Sequence, residues 1–151
     1  MNRNGANTIE ELLTLQSKLS EIALIPAWIE QLASRHGIPK HTQFAMDVCL
    51  EEVLSNIIRH GYAGAPDHTI LVRCTIPRKD YLTLIVDDEA PPFNPLLSQD
   101  FPSPRSLDRT SAGGRGILLL KQFADTVNYE LKPKGNRLTI SFTAPEKSNA
   151  V

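Results

Sequence analysis

The sequence predicts a two-layer α/β (α+β) sandwich in which helices cover one face of a mixed, largely antiparallel sheet. Short segments with alternating apolar residues are typical of strands, and longer segments with apolar residues at helical spacing are typical of amphipathic helices. The elements follow the order strand, helix, helix, strand, strand, long loop, helix, strand, strand. Because helices do not alternate with strands along the chain, a doubly wound parallel sheet is disfavoured.

Length and composition indicate one domain. A chain of 151 residues has the usual size of a single domain and is long enough to bury a core, so we expect one domain over residues 1–151. Hydrophobic residues make up 41% of the chain and the formal net charge is −1, which disfavours both a disordered chain and a nucleic-acid-binding surface. No apolar run approaches the ~20 residues that span a bilayer, and the polar N-terminus does not resemble a signal peptide. We therefore expect a cytoplasmic protein that does not bind membranes, with its two cysteines as buried free thiols.

The first part of the chain predicts one strand and two helices. After a disordered tail at residues 1–7, residues 10–17 are expected to form a strand. A helix over residues 26–36 begins with a proline, which suits a first helical turn, and ends before a glycine. A second helix begins with another proline and runs over residues 39–61.

The second part of the chain predicts two hairpins separated by a long loop and a helix. The expected strands lie at residues 69–76, 81–87, 125–132 and 136–143. Between the hairpins, residues 94–112 contain few apolar groups and exceed the ~12–15 residues beyond which a loop tends to be functional or disordered. Gly116 then begins the third helix, with the sequence ILLLKQFA. Residues 145–151 are expected to be a disordered tail.

Three polar residues follow one another at intervals of four on the second helix: Glu52, Asn56 and His60. On a helical wheel Glu52 lies at one border of the apolar arc, and Asn56 and His60 fall within it. Because a buried amide or carboxylate without a partner costs a few kcal/mol, these groups need partners. They form either a polar network in the core or one wall of a ligand cavity. In a cavity, an asparagine oxygen can bind Mg²⁺ and a glutamate can accept a proton. The stripe alone does not decide between the two.

Two further motifs point to a ligand. Residues 86–95, VDDEAPPFNP, follow a strand, and a carboxylate there is able to accept a hydrogen bond from an exocyclic amine such as that of adenine. Residues 113–120, GGRGILLL, precede a helix, and glycines with free N–H groups at a helix start suit phosphates. Taken separately, the first motif is also compatible with a simple turn and the second with a flexible hinge.

Taken together, Glu-x-x-x-Asn, the aspartate with its turn, the long loop and the Gly-x-Gly before a helix resemble the ATPase superfamily of gyrase, sensor histidine kinases and anti-sigma-factor serine/threonine kinases. Within it, the chain resembles the single-domain anti-sigma-factor kinases. EEVLSNIIRHGY is similar to their first box, GGRGILLLKQFADTVNY to their glycine box and the following strand, and KGNRLTISF to their last strand. The resemblance covers about residues 10–143. It implies a histidine kinase-like ATP-binding domain of the Bergerat type, with residues 94–112 as the ATP lid.

The resemblance also implies ATP and Mg²⁺ as cofactors and assigns roles to residues at matching positions. Glu52 would be the general base, Asn56 the magnesium ligand and Asp88 the acceptor of the adenine amino group. Further nucleotide contacts are expected from the first box, the second box, the lid and the glycine box: His60, Phe93, Arg105, Arg109, Gly113, Gly114, Arg115, Gly116 and Ile117. For the two lid arginines, the alternative is that they are solvated loop residues.

In function, the resemblance implies an ATP-dependent serine/threonine protein kinase that regulates transcription. It would phosphorylate an anti-sigma-factor antagonist, hold a sigma factor inactive and form a homodimer, without binding nucleic acid directly. The second box departs from the usual Asp-x-Gly-x-Gly, because Ala90 and Pro92 replace both glycines, and the final Gly-Thr of the family reads Gly135-Asn136. This departure leaves two alternatives open. One is a nucleotide-independent or weakly ATP-binding module that captures a partner protein on the same fold. The other is an ATPase switch that acts by lid closure.

Overall fold

The computed structural model describes residues 8–78, 80–97 and 118–143, which fold into helices packed on a sheet. The strands are β1 (Ile9–Gln16), β2 (Thr69–Arg78), β3 (Tyr81–Asp88), β4 (Thr126–Lys132) and β5 (Gly135–Thr143). The helices are α1 (Ile25–His36), α2 (Lys40–Asn56) and α3, whose described part covers residues 118–123. Short 3₁₀ segments cover Leu19–Leu24 and Pro95–Leu97, and a π-helical turn covers Ile57–Gly61. The predicted order of elements is confirmed, while both predicted tails and most of the predicted loop at 94–112 lie outside the described residues.

The strands form one sheet in the order β1-β2-β3-β5-β4. Every neighbouring pair among the described strands is antiparallel, so the predicted two-layer fold is confirmed, with an antiparallel sheet where a mixed, largely antiparallel one was expected. The hairpin β4–β5 closes through a two-residue turn, as the pairing of Lys132 with Gly135 shows, and β2 and β3 pair as far as Arg78 and Tyr81. β1 pairs with β2 although α1 and α2 lie between them in sequence. The sheet therefore depends on contacts between distant parts of the chain.

The two faces of the sheet differ because side chains alternate along each strand. One face is covered by α1 and α2 and forms the core, in which Leu50, Ile70, Leu84 and Ile140 are fully buried. Removal of these side chains from water is the main favourable contribution to folding. The opposite face is not covered by a helix in the described part of the chain, and it carries charged and hydroxyl side chains. Both cysteines lie in the core as free thiols, as predicted, and burial raises the pKa of each thiol to about 12.

The connection between α1 and α2 confirms the predicted helix boundaries. Gly37 ends α1 in the left-handed conformation, with φ of 68°, and its N–H donates to the carbonyl oxygen of Ala33. Pro39 precedes α2 with extended backbone. Neither helix, nor the described part of α3, is long and apolar enough to cross a membrane.

Candidate functional site

The end of α2 carries the first two residues of the polar stripe, Glu52 and Asn56, both half-buried. The side chains of Glu52 and Asn56 make no hydrogen bond or ion pair with the described residues, so these residues do not supply the core polar network that the stripe allowed. Burial raises the pKa of the Glu52 carboxyl, Arg59 opposes this increase, and Glu51 adds to it. Glu52 therefore holds a proton more tightly than a free glutamate does.

The third residue of the stripe, His60, lies on the π-helical turn after α2 and is exposed. The prediction that it falls within the apolar arc is wrong. In this turn the N–H of Tyr62 donates to the carbonyl oxygen of Ile57, at 2.9 Å, which is the i→i+5 bond of a π-helix. The helical wheel assumes α-helical spacing, and the wider turn rotates His60 away from the core.

Asp88, the last residue of β3, is a buried carboxylate with 6% exposure. Its Oδ1 accepts hydrogen bonds from the N–H of Ala90 and from Nδ2 of Asn136, each at 2.9 Å. No hydrogen bond from the described residues reaches Oδ2. Burial raises the pKa of the Asp88 carboxyl, the two hydrogen bonds lower it, and the neighbouring Asp87 raises it. The arrangement orients one oxygen and leaves the other able to accept a hydrogen bond from a ligand.

The turn after Asp88 contacts the end of the first-box helix. The N–H of Glu89 donates to the hydroxyl of Tyr62 at 2.7 Å. Ala90 is buried beside Gly61, where a Cβ on the glycine would lie 3.1 Å from that of Ala90. The first and second boxes, which the sequence identifies separately, are thus joined directly.

Asn136 is a site residue to which the sequence assigned no role. It lies on β5, is 6% exposed, and pairs with Asp88 in the β3–β5 register. Its Nδ2 donates to Oδ1 of Asp88 and to the carbonyl oxygens of Ala90 and Pro91, at 3.3 and 3.2 Å. Its Oδ1 accepts from the N–H of Phe93 at 3.0 Å and from the hydroxyl of Tyr129. The only sequence signal is that an asparagine follows Gly135 where the family has threonine.

A cleft of about 590 Å³ opens beside this turn. Asp88, Glu89 and Asn136 line it together with charged residues from the uncovered face of the sheet, and Glu52 and Asn56 do not. The described residues therefore form two parts of a candidate site, the polar end of α2 and a carboxylate-bearing turn. The turn is joined through Tyr62 to the segment that follows the π-helical turn after α2.

The remaining predicted site residues lie outside the described residues. These are Arg105, Arg109, Gly113, Gly114, Arg115, Gly116 and Ile117. The described part of α3 follows them directly, and its Leu120 is buried in the core. On the same helix, the ring of Phe123 meets that of Phe44 on α2 edge to face, with centroids 5.6 Å apart. The helix that follows the glycine box therefore packs beside the helix that carries Glu52 and Asn56.

Comparison with known proteins gives the family. The model of the histidine kinase-like ATPase domain matches residues 15–142. The serine/threonine-protein kinase BtrW of Bordetella bronchiseptica is 29% identical over 121 residues, which cover 79% of this chain and 84% of that protein.

Two solved structures of a blue-light-activated histidine kinase from Erythrobacter litoralis match 83% of the chain, and their similarity lies in the fold alone. The kinase domain gives a TM-score of 0.53 at 17% identity, and the second structure gives 0.55 at 16%. The chain covers 60% and 41% of those two chains. The matches confirm the family recognised from the sequence motifs: the chain belongs to the histidine kinase-like ATPase domain family.

Proposed function

We propose that the chain is a serine/threonine protein kinase that binds ATP where the end of α2 meets the turn after β3. The observation that carries this proposal is Asp88, a buried carboxylate with one oxygen held by neutral donors and the other able to accept from an amine. Membership of the ATPase family and similarity to BtrW, a protein named as a serine/threonine-protein kinase, support the enzyme class.

Glu52 is the proposed general base. Burial raises the pKa of its carboxyl, which increases its affinity for a proton at the moment of transfer. It accepts the proton of a serine or threonine hydroxyl while the hydroxyl oxygen bonds to the γ-phosphorus of ATP. The bond from that phosphorus to the bridging oxygen breaks, and ADP leaves with the electron pair.

Asn56 is the proposed protein ligand of Mg²⁺, which neutralises phosphate charge when bound. Within the described residues, no group of three or more histidine, cysteine, aspartate or glutamate side chains converges to hold a metal ion. This fits Mg²⁺, because that ion commonly takes one or two protein oxygens and completes its shell with waters and substrate phosphates. The half-buried amide of Asn56, without a partner among the described residues, fits such a role.

Asp88 is the proposed acceptor of the adenine amino group. Phe93 is half-buried with its N–H fixed by Asn136, and His60 is exposed at the end of the first box, so both remain proposed nucleotide contacts. The lid arginines and the glycine box stay predictions of the sequence. We keep as predictions, too, an anti-sigma-factor antagonist as the substrate, a sigma factor as the second partner, a homodimer and a cytoplasmic location.

The altered second box favours a second candidate, a module that binds a partner protein and ATP weakly or not at all. Ala90 is packed against the helix end, and two prolines follow it in the turn where the family has glycines to admit a ligand. Nucleotide affinity separates this candidate from the kinase. Hydrolysis of ATP without any phosphoprotein would favour the remaining alternative, an ATPase switch.

Calorimetric titration with ATP, with and without Mg²⁺, is the first test. We expect micromolar, magnesium-dependent binding, and the absence of binding at millimolar ATP would favour the partner-binding module. Transfer of label from γ-labelled ATP to the purified anti-sigma-factor antagonists of the source organism then tests the chemistry.

The base assignment is tested by comparing Glu52→Gln with Glu51→Gln, a substitution of the exposed neighbour on the same helix. We expect Glu52→Gln to keep Mg·ATP binding and to lower the transfer rate by about 10²–10⁴. Glu51→Gln removes only the smaller contribution of Glu51 to the raised pKa of Glu52, so it is expected to keep Mg·ATP binding and to change the transfer rate far less than Glu52→Gln does. Transfer at the wild-type rate in Glu52→Gln would rule out Glu52 as the base.

A further inference from the structure

We propose that Asn136 is a positioning residue for base recognition: its amide shapes the turn that lacks both family glycines and thereby makes Asp88 selective for a base with an exocyclic amine. The inference rests on the proposed nucleotide site at Asp88. It assigns Asn136 a role through another residue, without contact to the nucleotide.

The first argument is that every hydrogen-bonding group of the Asn136 amide is used. An amide offers two N–H donors and one oxygen with two lone pairs. Here Nδ2 faces three acceptors, on Asp88, Ala90 and Pro91, and Oδ1 faces two donors, on Phe93 and Tyr129. Both ends of the 88–93 turn are therefore tied to one buried side chain.

The orientation of this amide is determined by its partners. The backbone N–H of Phe93 is only a donor, so it must face the oxygen of Asn136. The two backbone carbonyls are only acceptors, so they must face its nitrogen. With the amide oriented in this way, an N–H necessarily points at Oδ1 of Asp88.

No other side chain of similar size can make these contacts together. The hydroxyl of threonine has a single donor and cannot bond Asp88 and the two carbonyls at once. An aspartate has no donor when ionised and would place a second negative charge beside Asp88. Where a turn contains glycines, backbone conformation alone can shape it, but Ala90 and two prolines do not have that freedom.

The consequence for Asp88 is a defined acceptor. With Oδ1 held by Asn136 and Ala90, Oδ2 is directed to the remaining side of the carboxylate. Besides these donors, the Asp88 carboxylate interacts electrostatically with Asp87, whose side chain lies on the opposite face of the same strand, and with the hydroxyl of Tyr62 at the end of the first box. The hydrogen bond from Asn136 also lowers the pKa of Asp88 against the increase caused by burial, which favours the ionised form that can only accept.

The test compares two nucleotides in the full chain, ATP and purine riboside triphosphate, which lacks the exocyclic amine. The measured quantity is the ratio of their dissociation constants. In the wild-type protein we expect ATP to bind about tenfold more tightly, as for loss of one hydrogen bond to a charged group. In Asn136→Thr we expect the ratio to fall close to one. Asn128→Thr, on the exposed side of the same hairpin, is the matched control and should keep the wild-type ratio.

A rescue and a milder variant make the test specific. Adding Ala90→Gly and Pro92→Gly to Asn136→Thr should restore the ratio, because the turn then regains its backbone freedom. Tyr129→Phe removes one hydrogen bond to the Asn136 oxygen and should lower the ratio about threefold while the fold is retained. If Asn136→Thr does not fold, Tyr129→Phe provides the test. An unchanged ratio of the two dissociation constants in Tyr129→Phe would overturn the inference.

The outcomes separate this inference from the proposed function. If Asn136→Thr weakens both nucleotides equally and keeps their ratio, Asn136 has only a structural role and the inference is wrong. If the wild-type protein binds ATP but does not distinguish the two nucleotides, Asp88 is not the amine acceptor, and the inference is wrong with it. If it binds neither, the nucleotide site itself is wrong.

Discussion

Asp87 and Asp88 are neighbours on β3, yet their side chains lie on opposite faces of the sheet and have opposite surroundings. On the uncovered face, Asp87 accepts two hydrogen bonds from the Arg137 guanidinium, at 2.7 and 2.9 Å, and lies 3.6 Å from that of Arg73. On the covered face, Asp88 is bonded only to neutral donors, and none of the described residues forms an ion pair with it.

The difference separates a structural carboxylate from a candidate functional one. Asp87 belongs to a row of alternating charges that joins four strands through Glu10, Arg73 and Arg137, so its charge is balanced within the sheet. When it is ionised, Asp88 carries a charge in the interior that no described residue of opposite charge balances, which costs stability unless a ligand uses it. A buried carboxyl with a raised pKa in a cleft is a candidate functional group for this reason.

The largest effect on stability is expected at Gly135, whose backbone lies against that of Asp88. Gly135 has φ of 105°, and a Cβ there would lie 1.9 Å from the carbonyl oxygen of Asp88. We expect Gly135→Ala to lower the free energy of unfolding by at least about 3 kcal/mol, through strain and overlap together. Gly64→Ala is the control, because Gly64 has φ of 82° with open space around it and should cost only about 1–2 kcal/mol. Urea unfolding measures both variants, and an equal loss of stability in the two would contradict the close contact between Gly135 and Asp88.

The next effect tests function on the covered face. Asp88→Asn is expected to lower ATP affinity about thirtyfold. The new amide nitrogen is a donor, so it cannot accept a hydrogen bond from the amine of the base. Asp87→Asn should leave the affinity unchanged. Calorimetry on both variants checks this, and a similar loss in the two would mean that the contrast between the faces is not functional.

A smaller effect is expected on the uncovered face. Asp87→Asn removes the carboxylate shared by Arg137 and Arg73, of which Arg73 keeps its ion pair with Glu10, and should lower the free energy of unfolding by about 1 kcal/mol, less at high salt. Asp80→Asn, which removes an exposed ion pair with Arg78, should have almost no effect. Urea unfolding at low and high salt measures both, and an Asp87→Asn effect independent of salt would argue against the charge row.

The smallest effect is in the pH dependence of stability. Burial raises the pKa of the Asp88 carboxyl above its ordinary value of 3.8, so the folded state holds this proton more tightly than the unfolded state. The contribution of Asp88 to stability therefore falls as the pH rises through the folded pKa. The free energy of unfolding of Asp88→Asn minus that of the wild type should rise with pH over this window and then level off. Urea unfolding at a series of pH values measures it, and a flat difference would contradict the assignment.

Glu11 gives a control of opposite sign. Its hydrogen bond with His36 is the main cause that lowers the pKa of its carboxyl below 4.5. Its contribution is present above that pH and is lost as the pH falls through the folded pKa. The free energy of unfolding of Glu11→Gln minus that of the wild type should therefore fall with rising pH.

Much of the fold could be predicted because local patterns agree with it. β2 and β3 bury every second residue, which the alternation of their apolar side chains predicts. Gly37 and Pro39 mark the boundary between α1 and α2 by their backbone preferences. Such features depend on neighbouring residues in the chain, and the sequence contains them directly.

The features that the sequence did not predict depend on distant contacts or on irregular geometry. The contact of Asn136 with Asp88 requires the β3–β5 register, which no local pattern encodes. The exposure of His60 follows from a π-helical turn that a helical wheel cannot represent. Glu52 and Asn56 were identified from their spacing, but the lack of a partner for Asn56 among the described residues is information from the structure.

The bond between Asn136 and Asp88 also bears on how the chain folds, because it joins residues 48 positions apart. A chain emerging from the ribosome, at about 5–20 residues per second, has β1, β2, β3, α1 and α2 available well before β5. The acceptor geometry of Asp88 is therefore complete only when the last strand docks. ATP bound there would stabilise the native state and not the earlier stages, so it is expected to slow unfolding while leaving the folding rate unchanged.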